Sequence, residues 1–415
     1  MKRDNVAFNV AFNYLPQQMM KVDYYPFADA WSEVVKGLHK SGWLDLMRWN
    51  MFLDRSVVLD ALPYLEYPKP EFGITEVTAN GGLFPVVEEV TINAPFVELR
   101  HFRVDTPYKR KPVLIVAPLS GHHATLLRET VRTFLRDFNV YITDWKNVRH
   151  VPLSLGAFGL DDYVNVVREY IELLGKNGDL TVVAVCQPSV PVIGAVSLQA
   201  QCGGVLPKNT VLIGGPVDTR RNPTEVNDFA QKHSLEWFEQ YAVHTAPFHC
   251  EGHGRKVVPG VFLLKGMMAL DPNRHVEAHR REYACILSGN HEEAMRHRRF
   301  YQEYLSTVDL SGKYYLDTNR VVFKEQLLPK GTWEVFGELV RPEMVKWGRL
   351  ITIEGENDTF VGQGQTEAAH GILKNIPAAN KLHHLAKGVG HYGVFAGRTF
   401  SEEIYEKVIK PFLFK

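Results

Sequence analysis

The run Leu180-Thr181-Val182-Val183, then Ala184-Val185-Cys186-Gln187-Pro188, then an apolar stretch of helical spacing, reads as a strand, a sharp turn and a helix with a thiol at the turn. A turn of this kind lifts its side chain above a sheet edge, and the N–H of the next residue, Gln187, can help bind an oxyanion formed by attack on a carbonyl. Gln187-Pro188-Ser189-Val190-Pro191 suits a helix N-terminus, where proline is tolerated. Ser189 is a rival nucleophile, but it lies three residues past the strand and is expected to cap or open the helix. A cysteine ending a buried strand is usually a small apolar filler, so Cys186 needs partners to be read as reactive.

A thiol needs a base, and the base needs an acid to orient it. After the apolar run Leu350–Ile353 comes Glu354-Gly355-Glu356-Asn357-Asp358, at the C-terminal end of a strand, where catalytic groups of open α/β sheets gather. Asp358 is the candidate acid, with Glu354 and Glu356 as rivals. Farther on, Gly388-Val389-Gly390-His391-Tyr392-Gly393-Val394-Phe395 bends around one histidine, and His391 is the candidate base. A solvated acidic loop and a structural histidine are the bland readings of these two segments. The order nucleophile, acid, histidine favours catalysis.

A second constellation is Ala117-Pro118-Leu119-Ser120-Gly121-His122-His123, after the continuously apolar run Pro112 to Ala117. Its position suits the other oxyanion donor, a backbone amide near Ser120. The tandem histidines invite a metal reading, yet no carboxylate or further histidine stands at a convincing ligand spacing. His291-Glu292 and His297 do not complete an HExxH pattern, so a metal-free protein is expected.

The elements needed to position these groups alternate along the chain. Val86–Ile92 and Phe96–Val104 are β-like and parted by Ala94-Pro95; Pro112–Ala117 is a buried central strand. Ala124 to Phe138 carries Leu127, Val131, Phe134 and Leu135 on one helical face, and Val140–Thr143 returns as a strand. Asp161 and Asp162 open a helix with Tyr163, Val167, Tyr170 and Leu174 on one face, stopped by Gly175. Val211–Ile213, Leu350–Ile353 and Leu382–Leu385 follow as strands. Strands alternating with helices predict an α/β fold with a mostly parallel sheet. Between Arg220 and Trp347 the pattern changes to polar helices, including Ala278–Leu287 and Glu292–Tyr304. The expected organisation is an N-terminal extension over 1–80, a first core part over 81–219, a cap insertion over 220–347 and a second core part over 348–415.

Composition narrows the class. Lys plus Arg and Asp plus Glu number 47 each, a formal net charge of zero that gives no electrostatic capture of nucleic acid or of an anionic bilayer. Asn5, Asn9 and Asn13 interrupt what would have to be a signal peptide's apolar stretch, and no segment approaches a transmembrane helix in length. Four cysteines without a CxxC pair fit reduced thiols, hence a cytoplasmic location.

Taken together, Cys186-Gln187-Pro188-Ser189-Val190-Pro191, Pro118-Leu119-Ser120-Gly121-His122, Gly355-Glu356-Asn357-Asp358 with Gln363-Gly364-Gln365-Thr366, and Gly390-His391-Tyr392-Gly393-Val394-Phe395 resemble the intracellular poly(3-hydroxybutyrate) depolymerases. The similarity runs from residue 60 to the C-terminus. The resemblance implies an α/β-hydrolase fold with a helical cap and a triad of Cys186, Asp358 and His391. It also implies a substrate in the amorphous polyester of cytoplasmic storage granules. Attack would give a hydroxyacyl thioester on Cys186, released by water or coenzyme A, with no bound cofactor. One departure is plain: Ala184 and Pro188 stand where the Gly-x-Ser-x-Gly box of ordinary esterases has glycines. An apolar polymer calls for aromatic contacts, with Trp145, Phe158, Trp237, Trp333, Tyr392 and Phe395 as candidates. Whether the chain forms a homo-oligomer is left open. Two other readings stand beside this one. A polyhydroxyalkanoate synthase is suggested by Gly312-Lys313-Tyr314-Tyr315-Leu316-Asp317-Thr318 and opposed by the lack of Gly-x-Cys-x-Gly-Gly. A granule-coating protein with an idle hydrolase fold is opposed by three filled catalytic positions.

Overall fold

The computed structural model describes residues 68–79, 81–270 and 272–415. Most of the N-terminal extension, with Trp31, Trp43 and Trp49, lies outside the described residues.

Apolar runs build a nine-stranded sheet. Its strands are β1 (Glu76–Ala79), β2 (Gly82–Asn93), β3 (Val97–Val104), β4 (Pro112–Val116), β5 (Asn139–Trp145), β6 (Thr181–Val185), β7 (Asn209–Ile213), β8 (Arg349–Gly355) and β9 (Lys381–Ala386). Their spatial order is β1-β2-β3-β5-β4-β6-β7-β8-β9. From β5 to β9 every pairing is parallel, and β1 to β3 form an antiparallel edge. Every residue of β6 and β7 is buried, as strands covered on both faces must be, which is why they read as continuous apolar runs. The order and register are those of an α/β-hydrolase. β1 falls inside the stretch 1–80 read as extension; four residues pairing Glu76 with Pro85 across a short turn are too brief to show in the sequence pattern.

Helices cover both faces. α1 (Arg128–Phe134) follows a 3₁₀ turn at Ala124–Leu127, so the expected helix to Phe138 is shorter, because the chain must reverse into β5 at Asn139. α2 (Leu160–Leu174) buries Tyr163, Val164, Val167, Tyr170 and Ile171 on one face and starts where the Gly159 N–H donates to Asp162 Oδ2 at 2.6 Å. α3 (Ser189–Gln201), the helix after Cys186, is buried around nearly its whole circumference.

Between β7 and β8 the chain builds the cap. It contains α4 (Glu225–Lys232), α5 (Leu235–Ala242), α6 (Gly260–Leu270), α7 (Pro272–Leu287), α8 (His291–Leu305) and α9 (Gly312–Thr318). A small sheet of His244–Thr245, Lys256–Val258 and Leu310–Ser311 joins them. The end of the insertion returns along α3: the Arg341 N–H donates to Gln201 Oε1 at 2.7 Å, and Trp333 packs so closely on Gly194 that a β-carbon there would meet its ring at 2.7 Å. Among the described residues, no helix is long and apolar enough to cross a membrane.

Candidate active site

Cys186 directly follows β6 and adopts φ +67°, a left-handed conformation costing a non-glycine residue roughly 1–2 kcal/mol. Hydrogen bonds on both sides hold it there. Its own N–H donates to the Ile213 carbonyl at 2.6 Å, and its carbonyl accepts from the Ser189 N–H at 3.1 Å and the Ser189 hydroxyl at 2.9 Å. Ser189 is fully buried by this role, which removes it as a rival nucleophile. The room that esterases gain from glycines flanking the nucleophile comes here from the next strand end. A β-carbon on Gly215 would lie 3.0 Å from the Cys186 carbonyl oxygen, and one on Gly214 would lie 3.3 Å from His391 Cε1.

His391 follows β9 in a short 3₁₀ turn and is buried. Its Nδ1 lies 2.7 Å from Asp358 Oδ2. A carboxylate accepts, so Nδ1 carries the proton and Nε2 is left for the Cys186 thiol on the ring's other side. Burial works against the imidazolium, but the Asp358 carboxylate and Cys186 outweigh it and hold the His391 pKa well above the ordinary histidine value. Asp358 is itself fixed: Oδ1 accepts the Phe360 N–H at 2.8 Å and the Val361 N–H at 2.9 Å. The rival acids have other work. Glu354 accepts the N–H groups of Gly364, Thr366 and Glu367, and Glu356 accepts that of Gly388, so each ties a loop.

The loop after β4 closes the site from the other side. Ala117 is pinned by three hydrogen bonds: its N–H donates to Thr143 Oγ1 at 2.9 Å, and its carbonyl accepts from Trp145 Nε1 and the Tyr163 hydroxyl, each at 2.8 Å. Ser120 leads from this anchor to the wall of the cavity that Gln187 also lines. His122 donates from Nε2 to the Tyr304 carbonyl at 3.0 Å, and the Val308 N–H donates to the Gly121 carbonyl at 2.9 Å, so the loop is tied to α8 of the cap. Burial lowers the His122 pKa to about 4, which leaves it a neutral strut.

Residues 214–415 match the family model described as PHB de-polymerase C-terminus. The second half of this chain is similar to that family. No curated protein matches the chain in sequence. Among solved structures, it is similar to a bromoperoxidase from Bacillus anthracis at 13% identity, covering 80% of this chain and 100% of that one with a TM-score of 0.44. An epoxide hydrolase from Bacillus megaterium gives 15% identity, 78% and 99% coverage and a TM-score of 0.45. An esterase from Thermogutta terrifontis gives 14%, 75% and 92%, with a TM-score of 0.39. The fold assignment itself rests on strand order and register.

The depolymerase-family region contributes both Asp358 and His391, and its cap roofs a cavity of about 430 Å³ with Cys186, Gln187, Ser120 and His391 in its wall. The protein is a carboxylic ester hydrolase. Trp237, Tyr392 and Phe395 line the cavity. Trp145, Phe158 and Trp333 do not, and the expectation for them is corrected. Trp145 and Phe158 are core side chains packed against one another with tilted rings beneath the Ala117 loop, and Trp333 is core against α3. Sequence reasoning missed Phe262, Leu263 and Met267, which α6 presents to the cavity. The available signal was that Val261–Leu270 is apolar nearly all round, as a helix must be when covered on more than one side.

Proposed function

We propose that the protein cleaves ester bonds of intracellular, amorphous poly(3-hydroxybutyrate) with Cys186 as nucleophile, His391 as base and Asp358 as its orienting acid. The observation that supports this most is the left-handed turn holding Cys186 in the wall of an apolar cavity, facing a histidine whose far nitrogen is bound by a carboxylate. His391 Nε2 takes the thiol proton as sulfur adds to a backbone ester carbonyl of the polymer. The tetrahedral oxyanion is held by the amides of Gln187 and Ser120, and its collapse expels the alkoxide, which takes the proton back from His391. A 3-hydroxyacyl thioester remains on Cys186. Water, deprotonated by the same imidazole, releases 3-hydroxybutyrate or its oligomers; coenzyme A would release the acyl-CoA instead.

A largely apolar, aromatic wall, with Lys265, His122, His244 and His391 as its basic side chains, suits an uncharged polyester segment, which offers no charge for steering. The same chemistry on a granule surface would place the enzyme in the cytoplasm, bound to storage granules. The test is release of hydroxy acids from amorphous poly(3-hydroxybutyrate) by the parent, by Cys186→Ala and by alkylated parent. Turnover in the parent alone supports the reading, and equal rates in all three defeat it. Adding coenzyme A and assaying 3-hydroxybutyryl-CoA distinguishes the acceptors.

A further inference from the structure

The cap's helical pair α7 and α8 carries a cluster that the ester chemistry does not use. His279 and Glu282 stand one turn apart on α7, and His297 faces them from α8. Glu282 is buried, with Oε2 2.9 Å from His297 Nδ1 and 3.7 Å from His279 Nδ1. Its other oxygen, Oε1, accepts from Arg298 Nε at 2.8 Å.

The cluster is poorly explained as a hydrogen-bonded network. His297 Nδ1 is close to the carboxylate yet off the line of an N–H···O bond, and Nε2 of both histidines is buried without a hydrogen-bond partner. Two ligands of one tetrahedral zinc, each at about 2.0–2.1 Å, lie about 3.3 Å apart, between the two observed separations. The ligand atoms of all three residues fall within 4.8 Å of one another, so small rotamer shifts close the set. The Arg298 contact gives the carboxylate the outer hydrogen bond that metal-ligating acids carry.

We propose that His279, Glu282 and His297 bind a divalent first-row transition ion, zinc fitting best, that cross-links α7 to α8. This departs from the metal-free expectation of the sequence, because the set is H-x-x-E on one helix completed by a histidine on the next and not an HExxH pair. The ion's position gives it consequence. Tyr301 packs on both imidazoles with ring centroids 4.3 and 4.6 Å away, and Tyr304, one turn on, is 5.9 Å from Tyr392, the neighbour of His391. The cross-link therefore stiffens the cap wall against which the base is set.

The test uses the full chain, stripped with chelator and alkylated at its accessible thiols so that sulfur is no competing ligand, then titrated with cobalt(II) and with zinc. One equivalent of cobalt should bind with visible d–d bands and without a sulfur charge-transfer band, and saturating zinc should raise Tm by about 3 °C. His279→Ala and His297→Ala should each weaken cobalt binding at least tenfold and abolish the zinc-induced rise; both side chains are partly exposed, so these variants should fold even if Glu282→Gln does not. No cobalt binding by the parent, or equal binding by the parent and both histidine variants, overturns the proposal.

Discussion

A β-carbon on Gly215 would stand 1.9 Å from the Ser189 hydroxyl oxygen. That hydroxyl and the Ser189 N–H together hold the Cys186 carbonyl, so two glycines at the end of β7 leave the space in which the cysteine turn forms. Gly215→Ala must displace either Ser189 or the turn. It should lower stability by about 1–3 kcal/mol, the usual cost of overpacking. It should also reduce kcat, and by far more than the few per cent of protein that such a loss of stability would unfold. Denaturant unfolding and the rate of Cys186 alkylation check the two effects separately: the thiol should react abnormally even in the folded fraction.

The sequence shows the strands and the chemistry clearly and the packing poorly. β4, β6 and β7 are legible because strands buried on both faces admit little but apolar residues, and the acid and histidine follow their strands in a fixed order. The support for the cysteine turn is not legible as a local motif, since Gly215 acts on Cys186 from the neighbouring strand and Ala184 and Pro188 occupy the local glycine positions. Likewise Glu354 and Asp358 share one loop, and only hydrogen-bond geometry separates a loop clamp from a partner of His391. Aromatic residues are the least informative, because Trp145 in the core and Trp237 in the cavity wall have the same composition and opposite surroundings.

That contrast is testable in one pair of variants. Trp333 is almost wholly buried on α3, and Trp333→Ala should cost about 3–5 kcal/mol of stability while leaving KM of the surviving enzyme near the parent value. Trp237 faces the cavity and packs with a tilted ring against Tyr241 at 4.9 Å, so Trp237→Ala should raise KM for oligomeric hydroxybutyrate esters several-fold with little change in Tm. The reverse pattern would return Trp333 to the substrate and remove Trp237 from it.

Stability should fall in mild acid. His122, His123 and His370 have pKa values lowered to about 4, in each case chiefly by burial, against about 6.5 in the unfolded chain. Between those values the unfolded state binds more protons, so stability decreases as pH drops through 6.5 and levels near 4. His122, fully buried, contributes up to about 1.4 kcal/mol per pH unit in that window. His391 has the opposite sign: its raised pKa adds stability that is complete below pH about 6.5 and is lost as pH rises through its folded value. Denaturant midpoints from pH 7.5 to 4.5 should therefore decline, and His122→Asn should lose about one proton's worth of that slope.

Replacing Asp358 by asparagine separates the charge of the acid from its shape. The amide oxygen can still accept the Phe360 and Val361 N–H groups, so the loop should stay in place and Tm should change little. What changes is the imidazole. With the carboxylate gone, burial is opposed by Cys186 alone and the His391 pKa should fall, while an NH₂ turned toward Nδ1 would favour the tautomer with its proton on Nε2, where it cannot accept from sulfur. We expect kcat on amorphous poly(3-hydroxybutyrate) to drop about 10³–10⁴-fold with KM almost unchanged, a magnitude set by the corresponding change in serine proteases. A variant that kept the parent's kcat would remove Asp358 from the proton path and return Glu356, the exposed neighbour in the same loop, as the acid to be tried next.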